Sequence, residues 1–439
     1  MDTPKRKVPI RTPSLEGLRC VVSGNDIETF CAGRFSVLHF FTGGCINCLH
    51  VLKELKRSEL PEGIALVGIH TGKFAREKED GWISELIARQ GISHPVVNDA
   101  DGGGGLWDGF AVRAWPTLVL VSPDGYEVAR VSGEGRVTEL IEAYDGRAGG
   151  DEAEATTVMP SEAGASGRAF SKIFADETHL YISDTGRNTV HICTLEGRIV
   201  ETLEGFEEPQ GLFAKDGRLY VADRAAGAVV VVDLETMEKK VLAKGLRSPW
   251  GVTGNDEGLQ VAVAGAHQIW QVRYDGRGLG VMAGIGAEGI RDGKMRSDAL
   301  FAQPTDLDWL DDVLYVVDAE GSALRAIENK EVKTPIGWDL FTYGDRDGIG
   351  EEVRIQHPEG LCAGIGGCGN HRIFLCDTYN DKVKVYDPLN GRVTTLIEGL
   401  HLPTGICKSG CFLYVTESGR DTIVRFDISS MQYERIEIE

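Results

Sequence analysis

A mostly apolar run, Phe35–Phe41, is followed by two glycines and then by a Cys-x-x-Cys pair, Cys45 and Cys48. An apolar run of this length, bounded by turn residues, is typical of a buried strand. The next apolar residues recur at the spacing of one helix face: Leu49, Leu52 and Leu55. The pattern predicts a strand that brings the first cysteine to the N-terminus of a helix.

Strand-like and helix-like segments continue to alternate up to about residue 145. Short apolar or alternating runs predict strands at Ile64–Ile69, Pro95–Val97, Thr117–Ser122 and Glu127–Val131. Helical spacing predicts helices from Cys48 to about Arg57, at Trp82–Arg89 and at Val137–Tyr144. Asp124-Gly125 is a typical turn between hairpin strands. Strand–helix–strand followed by a hairpin indicates an α/β domain with a mixed sheet.

From about residue 169 the pattern changes to short strands that repeat. A start with a proline and apolar residues recurs at Pro209, Pro249, Pro304, Pro358 and Pro403. An apolar strand that ends in an acid recurs at Asp184, Asp223, Asp318, Asp377 and Glu417. Six units of four short strands without helices are typical of a radial β-propeller, whose repetition protects the sheet edges.

These patterns predict a multidomain chain. The α/β domain takes residues 1–148, a linker rich in Gly, Ala, Glu and Ser takes 149–168, and an all-β six-bladed propeller takes 169–439.

Charge is distributed unevenly between the two predicted domains. The 439 residues carry 46 Lys and Arg against 67 Asp and Glu, a net charge of −21, of which −3 belongs to residues 1–150 and −18 to the remainder. Such an acidic propeller argues against nucleic acid or an anionic membrane as a partner.

Targeting signals and cysteine usage point to one compartment. No apolar run approaches the ~18 residues of a membrane span, and no apolar segment follows the basic N-terminus as a secretory signal requires. Ten scattered cysteines in a chain of this length fit reduced thiols better than a disulfide framework. We therefore expect a cytoplasmic protein.

The Cys45–Cys48 pair allows two kinds of chemistry. The N–H groups and the positive dipole end of a helix favour a thiolate at the first cysteine, and the second, one turn on, can close a disulfide by exchange. A zinc half-site has the same spacing but needs a second pair of ligands, which Cys20 and Cys31, eleven residues apart, do not supply. The sequence favours a redox dithiol, with a zinc site and a structural remnant as the alternatives.

A second informative stretch is Trp115-Pro116-Thr117, just before a predicted strand. A proline that opens a strand cannot donate to the ladder, and an X-Pro bond can be cis at low cost. A Cys-x-x-Cys helix followed by such a proline strand, a hairpin and a helix resembles the thioredoxin-like fold. The resemblance implies that Cys45 is the nucleophile, Cys48 the resolving thiol, and Pro116 the cis-proline of the substrate loop.

Two positions depart from the thioredoxin pattern. The family usually has a buried Asp six residues before the first cysteine, where this chain has His39. His39 either accepts the proton of Cys48 or is a core residue with one satisfied nitrogen. The family's usual Trp before the first cysteine is Gly44, which we expect to open the site and to cost backbone order.

A narrower resemblance rests on several motifs: Cys45–Cys48, His70–Phe74 with Glu77-Lys78 beyond, Ser93–Asp101, Trp115–Leu118, Gly133–Gly135 and the strand turns Asp184–Asn188 and Asp377–Asp381. They resemble the NHL repeat-containing protein 2-like family, in which a thioredoxin-like domain is fused to an NHL six-bladed β-propeller. Members of that family carry a further β domain after the propeller. Because this chain stops at Glu439, we expect that domain to be absent.

The repeated acids and two Asp-x-Asp-Gly stretches raise the question of metal binding. The repeated acids follow a strand at a tight turn, where Asp bonds backbone N–H groups, so we predict a structural role. The stretches that begin at Asp99 and Asp345 resemble the start of calcium loops, but position 12 is Phe110 or Gln356, which leaves the ligand set incomplete. We expect no metal and no cofactor.

Several cysteines cluster in the last two repeats. Cys362 and Cys407 occupy matching positions in neighbouring repeats, and the others nearby are Cys368, Cys376 and Cys411. Core thiols are the favoured interpretation, with a metal site or a disulfide as the alternative.

Two functional hypotheses follow from the resemblance. The first is a thiol–disulfide oxidoreductase with a Cys45-Ile46-Asn47-Cys48 dithiol, whose propeller recruits a protein substrate. The alternative is a non-catalytic protein–protein interaction scaffold or redox sensor with a vestigial dithiol. A propeller hydrolase is a more distant third. The expected partner is a protein in each of the first two cases, and the sequence does not define the oligomeric state.

Overall fold

A computed structural model describes residues 10–58, 60–100, 105–145, 167–365 and 369–439. It divides the chain into two units, Met1–Ala165 and Ser166–Glu439. The predicted linker, 149–168, falls outside the described residues apart from its last two positions.

The first unit is built on a five-stranded sheet. Its strands are β1 (Ser36–Phe41), β2 (Ala65–His70), β3 (Val96–Asn98), β4 (Thr117–Val121) and β5 (Glu127–Ser132). They lie in the order β3-β2-β1-β4-β5, with β1, β2 and β3 parallel, β4 antiparallel to β1, and β5 antiparallel to β4. The sheet is therefore mixed, and each strand lies close to its predicted position.

The described part of this unit also has five helices. They are α1 (Ile27–Cys31), α2 (Ile46–Arg57), α3 (Asp80–Gln90), α4 (Leu106–Gly109) and α5 (Val137–Asp145), with a 3-10 turn at Arg76–Lys78. The sequence analysis missed α1 and α4, because segments of five and four residues are too short to show an apolar period. Val37 packs with Val51 of α2 and Leu140 of α5, whereas the next residue, Leu38, packs on the opposite face with Ile27 of α1.

The second unit is a six-bladed β-propeller, as predicted. The first three blades are β6 (Phe170–Ala175), β7 (His179–Asp184), β8 (Thr189–Thr194) and β9 (Ile199–Leu203); β10 (Pro209–Lys215), β11 (Arg218–Asp223), β12 (Ala228–Asp233) and β13 (Lys239–Lys244); and β14 (Pro249–Gly254), β15 (Leu259–Val263), β16 (Gln268–Val272) and β17 (Leu279–Ala283).

The last three blades follow the same order of strands. They are β18 (Gly293–Lys294), β19 (Pro304–Leu310), β20 (Val313–Asp318), β21 (Ala323–Glu328) and β22 (Glu331–Ile336); β23 (Gly348–Ile349), β24 (Gly360–Ile365), β25 (His371–Asp377), β26 (Lys382–Asp387) and β27 (Arg392–Ile397); and β28 (Pro403–Ser409), β29 (Phe412–Glu417), β30 (Thr422–Asp427) and β31 (Gln432–Ile436). The two-residue strands β18 and β23 pair with β22 and β27, so blades 4 and 5 have five strands.

Blade 6 closes against blade 1 without exchanging a strand. The hydroxyls of Thr404 and Thr416 in blade 6 donate to the carbonyl of Ser171 in β6, at 2.9 and 2.6 Å. At the outer edge of blade 1, the N–H of Ile199 donates to the carbonyl of Glu439 at 2.6 Å. Side-chain and main-chain hydrogen bonds therefore close the ring.

In five of the six blades, the repeated acid binds the chain segment that precedes the blade. Asp318 accepts the N–H of Ala302 at 2.7 Å, and Asp377 accepts that of Gln356 at 2.6 Å. The same contact recurs at 2.9 Å in three other blades, between Asp184 and Ala169, Asp223 and Glu207, and Glu417 and His401. These acids bond backbone N–H groups, as predicted, and this contact is structural.

Among the described residues, no helix is both long enough and apolar enough to cross a membrane.

Candidate active site

Cys45 and Cys48 lie at the N-terminus of α2, where the sequence pattern placed them. Cys45 is the N-cap residue, with extended backbone angles, and its Sγ accepts the N–H of Cys48 at 3.4 Å. This contact satisfies one of the N–H groups that a helix leaves unpaired at its start. The first sulfur therefore sits at the positive end of the helix dipole, one turn from the second cysteine.

The two thiols differ in burial. Cys48 is completely buried, whereas Cys45 is 4% exposed. Within the described parts of the chain, no group of three or more His, Cys, Asp or Glu side chains is arranged to hold a metal. Only the first cysteine thus has a surface that another molecule can contact.

Two side chains bind the loop between β1 and Cys45. His70 Nε2, at the end of β2, accepts the N–H of Gly43 at 3.2 Å. Glu77 Oε1, in the 3-10 turn, accepts the N–H of Gly44 at 2.8 Å. In the sequence, His70 and Glu77 stood out only as parts of a family motif. Glu77 stands between Arg76 and Lys78 in a charged stretch, so no local pattern marked its carboxylate as buried.

The expected opening of the site at Gly44 is wrong. Gly44 is buried and its N–H is bound by Glu77, so the loop keeps its order without a Trp at this position. An added Cβ on the neighbouring Gly43 would lie 2.3 Å from Cη2 of Trp82 and 2.7 Å from Cδ2 of Leu86. Trp82 of α3 therefore packs against this loop, although the loop itself contains no tryptophan.

His39 is fully buried in the middle of β1. It lies on the same face of the strand as Val37, which packs against α2, because side chains alternate along a strand. Burial, with a smaller effect of His94, lowers the pKa of His39 to about 3, so its imidazole is neutral near pH 7. Neither ring nitrogen has a hydrogen-bond partner among the described residues, which contradicts the alternative of one satisfied nitrogen.

Pro116 precedes β4 and is buried, and the Trp115–Pro116 peptide bond is cis. In the antiparallel pairing of β1 with β4, Thr117 lies opposite Phe40. The start of β4 is therefore at the same end of the sheet as the loop that leads from β1 to Cys45. The topology brings Pro116 and Cys45 to one edge, although 71 residues separate them in the sequence.

The calcium-like stretches have other roles. The carboxylate of Asp99 accepts the N–H groups of Leu106 and Trp107, at 3.0 and 2.8 Å, and so begins α4. Asp101 and Gly102 lie outside the described residues. Asp345 and Asp347 both bind the buried ammonium of Lys384, at 2.7 and 2.8 Å.

Cysteines of the last two blades reach the centre of the propeller. Cys362 of β24 and Cys407 of β28 line a cavity of about 110 Å³ that is bordered by the first strand of every blade. Both are free thiols, and burial raises the pKa of each well above its usual value. Cys376 is also a buried free thiol, Cys411 is exposed, and Cys368 lies outside the described residues. The core-thiol interpretation therefore holds for Cys362, Cys376 and Cys407, which are buried free thiols, and is wrong for Cys411.

Fold and site together define a class of protein: an α/β unit with a Cys-x-x-Cys pair at a helix N-terminus, in one chain with a six-bladed β-propeller. NHL repeat-containing protein 2 of Gallus gallus is 30% identical over 491 residues, which cover 91% of this chain and 67% of that protein. The chain therefore belongs to the NHL repeat-containing protein 2 family, as its motifs predicted.

Two other relatives extend the comparison. Protein SUPPRESSOR OF QUENCHING 1, chloroplastic, of Arabidopsis thaliana is 32% identical over 91% of this chain and 44% of its own length. Protein DipZ of Mycobacterium tuberculosis is 29% identical over 114 residues, or 25% of this chain and 16% of DipZ. No family model matches the chain.

Proposed function

We propose that residues 1–148 form a thioredoxin-like domain that exchanges thiols and disulfides, and that the propeller, residues 169–439, recruits its protein substrate. One observation carries this proposal: Cys45 Sγ caps α2 and accepts the N–H of Cys48 at 3.4 Å. A sulfur at a helix N-terminus, one turn from a second thiol, is the arrangement that thiol–disulfide exchange requires.

The difference in burial supports distinct roles for the two cysteines. Cys45, the only one of the pair with exposed surface, is the nucleophile, and the completely buried Cys48 is the resolving thiol. The thiolate of Cys45 attacks one sulfur of a protein disulfide and forms a mixed disulfide, while the other substrate sulfur leaves as a thiolate and takes up a proton. Cys48 then attacks Cys45 Sγ and releases the second substrate thiolate.

The net reaction balances in electrons and protons. The substrate gains two electrons and two protons, and the Cys45–Cys48 pair becomes a disulfide. A second turnover needs a dithiol, either a small molecule or a protein, to reduce that disulfide.

His39 lies on the α2 face of β1, on the same side of the sheet as the helix that carries Cys48, where the thioredoxin pattern usually provides a carboxylate. Its pKa of about 3 makes the imidazole a much weaker base than a thiolate, so it does not take the proton of Cys48. In this proposal that proton passes to the substrate thiolate that leaves in the resolving step.

Pro116 is the substrate-loop residue in this proposal. It precedes β4 at the sheet edge where β1 delivers the dithiol. A proline has no backbone N–H, so an extended substrate segment can lie beside it without competing for a ladder donor.

In this proposal the propeller contributes the binding of the substrate protein. Among the described residues, the repeated acids bond backbone N–H groups, and no metal-binding cluster occurs in that part of the chain. A partner protein, with neither nucleic acid nor a membrane, fits the net charge of −21. A cytoplasmic location remains a prediction of the sequence.

The test is a redox titration of the full chain. The protein is equilibrated in graded glutathione buffers, free thiols are alkylated, and the peptide with Cys45 and Cys48 is followed by mass spectrometry. We expect a two-electron transition between roughly −300 and −120 mV, and loss of insulin disulfide reduction in Cys45→Ser. A pair that never closes would overturn the oxidoreductase proposal and leave the scaffold alternative.

The scaffold alternative has its own readout. In affinity capture, the partners of a scaffold would be retained equally by wild type and by Cys45→Ser. The oxidoreductase instead predicts that Cys48→Ser traps partners as mixed disulfides on Cys45, which a reducing agent releases.

A further inference from the structure

We propose that Glu77 is a positioning residue for the dithiol. It holds the peptide unit directly before Cys45 and so fixes the approach of Cys45 Sγ to Cys48. This inference rests on the proposed exchange function of the pair.

Two segments donate backbone N–H groups to Glu77. Oε1 accepts the N–H of Gly44 at 2.8 Å. Oε2 accepts the N–H groups of Lys73 and Phe74, at 2.8 and 3.1 Å. One carboxylate thus joins the loop before the dithiol to the turn after β2, across 33 residues of sequence.

Neighbouring residues allow this carboxylate to be buried beside the loop. Glu77 is completely buried, and a buried carboxylate is costly unless hydrogen bonds compensate it. Gly72 allows the close approach, because a Cβ there would lie 2.9 Å from the backbone carbonyl carbon of Glu77. Phe74, whose side chain is also fully buried, anchors the turn next to it. The turn after β2 is therefore built around the acid.

The contact acts on the geometry of the thiol pair. Gly44 has no side chain to fix its backbone, and the next residue, Cys45, must cap α2 for its sulfur to meet the second cysteine. Holding the N–H of Gly44 restricts the loop that carries Cys45. A restricted loop raises the effective concentration of one thiol towards the other, and with it the equilibrium constant for closing the disulfide.

A change to Gln separates shape from acceptor capacity. The glutamine side chain would have nearly the same volume as that of Glu77, but only one of its two terminal atoms can accept a hydrogen bond. Glu77→Gln therefore keeps either the contact to Gly44 or those to Lys73 and Phe74, and places an NH2 group against the remaining N–H.

The experiment measures disulfide closure in the full chain with glutathione as the redox partner. In this reaction Cys45 and Cys48 lose two electrons and two protons, and one oxidised glutathione becomes two reduced molecules. We expect Glu77→Gln to lower the equilibrium constant for closure about tenfold, a shift of about 30 mV towards more oxidising potentials.

The matched control is Glu54→Gln, on the same helix as the dithiol. Glu54 also accepts a backbone N–H, from Gly135 at 2.6 Å, but it lies more than two turns beyond Cys45. We expect the equilibrium constant for disulfide closure in Glu54→Gln to stay within twofold of the wild-type value. If Glu77 only stabilised the fold, both variants would have a lower thermal stability. The reduction potential of the Cys45–Cys48 pair would then equal the wild-type value in both.

The outcomes separate the two proposals. If the wild-type pair never closes, the exchange function fails, and this inference fails with it. If the wild type closes and Glu77→Gln has the same potential, only the role of Glu77 is overturned.

A second measurement needs no variant. In hydrogen exchange on the wild-type chain, the amide of Gly44 should exchange at least a hundredfold more slowly than an unprotected amide. Exchange at the unprotected rate would overturn the positioning role even if Glu77→Gln did not fold.

Discussion

The ammonium of Lys172 in β6 lies 3.1 Å from the carboxylate of Asp306 in β19, so a buried ion pair joins blade 1 to blade 4 across the centre of the propeller. The same ammonium donates to the carbonyl of Glu359, which precedes the first strand of blade 5. Asp306 also accepts the N–H of Leu361 at 3.1 Å. Three blades therefore share one polar cluster at the centre of the ring.

Removing one member of this pair should destabilise the propeller strongly. Lys172→Met leaves the carboxylate of Asp306 buried without its cation, and an uncompensated buried charge costs about 3–5 kcal/mol. The measurement is the free energy of unfolding in guanidinium chloride. The control is Lys215→Met, which breaks the exposed pair with Asp256 and should cost far less, because solvent and salt screen an exposed pair. Equal losses in both variants would show that the central pair contributes no more than a surface pair.

The first unit should lose stability in acid through its buried histidines. Burial lowers the pKa of His39 and of His70 to about 3, and that of His94 to about 4. Because these values lie below the unfolded value near 6.5, the unfolded chain binds protons first. Stability is complete above that pH and is lost as the pH falls, by about 1.4 kcal/mol per pH unit for each histidine.

A single substitution tests the share of one histidine. His39→Leu should reduce the loss between pH 7 and pH 5 by about 2 kcal/mol, since Leu removes a group that protonates only on unfolding. Hydrogen exchange of β1 peptides at the two pH values reports the first unit separately. An unchanged pH dependence in the variant would contradict the lowered pKa of His39.

His357 in the propeller should act in the opposite direction. Burial alone would lower its pKa, but Glu320 and Glu359, each with an oxygen 3.4 Å from the ring nitrogens, raise it to about 10. The stabilisation is therefore complete below pH 6.5, the unfolded value, and is lost as the pH rises towards 10. Unfolding of the propeller in denaturant at pH 7 and pH 9 should differ less in His357→Gln than in wild type. The same difference in both proteins would rule out a charged His357.

Gly43→Ala should disturb the dithiol loop. Its Cβ would lie 2.3 Å from Trp82, so the loop or the ring must move, at a cost of about 1–3 kcal/mol. The control is Gly81→Ala in α3, where an added Cβ meets nothing within 4 Å and helix propensity improves by up to about 1 kcal/mol. Thermal unfolding and the rate of Cys45 alkylation measure the two effects. A Gly43→Ala protein with wild-type values in both would show that this packing does not constrain the loop.

Local patterns along the chain determined the elements and their order. The apolar run, the two glycines and the helical spacing after Cys48 placed β1 and α2 almost to the residue. The recurring prolines and acids indicated six blades. This was possible because each blade is formed by adjacent strands that lie within a few dozen residues of one another in the sequence. For the same reason the acids at the strand ends were assigned correctly to backbone hydrogen bonds.

Contacts between distant segments were decided only by the tertiary structure. Glu77 meets Gly44 across 33 residues, and Lys172 meets Asp306 across 134. Trp82 packs against Gly43, although no tryptophan lies near Gly43 in the sequence. No spacing rule encodes such pairs, because they depend on how helices and strands pack once each has formed. The sequence by itself determined where the two cysteines stand on their helix, and the packing decided which buried groups hold them there.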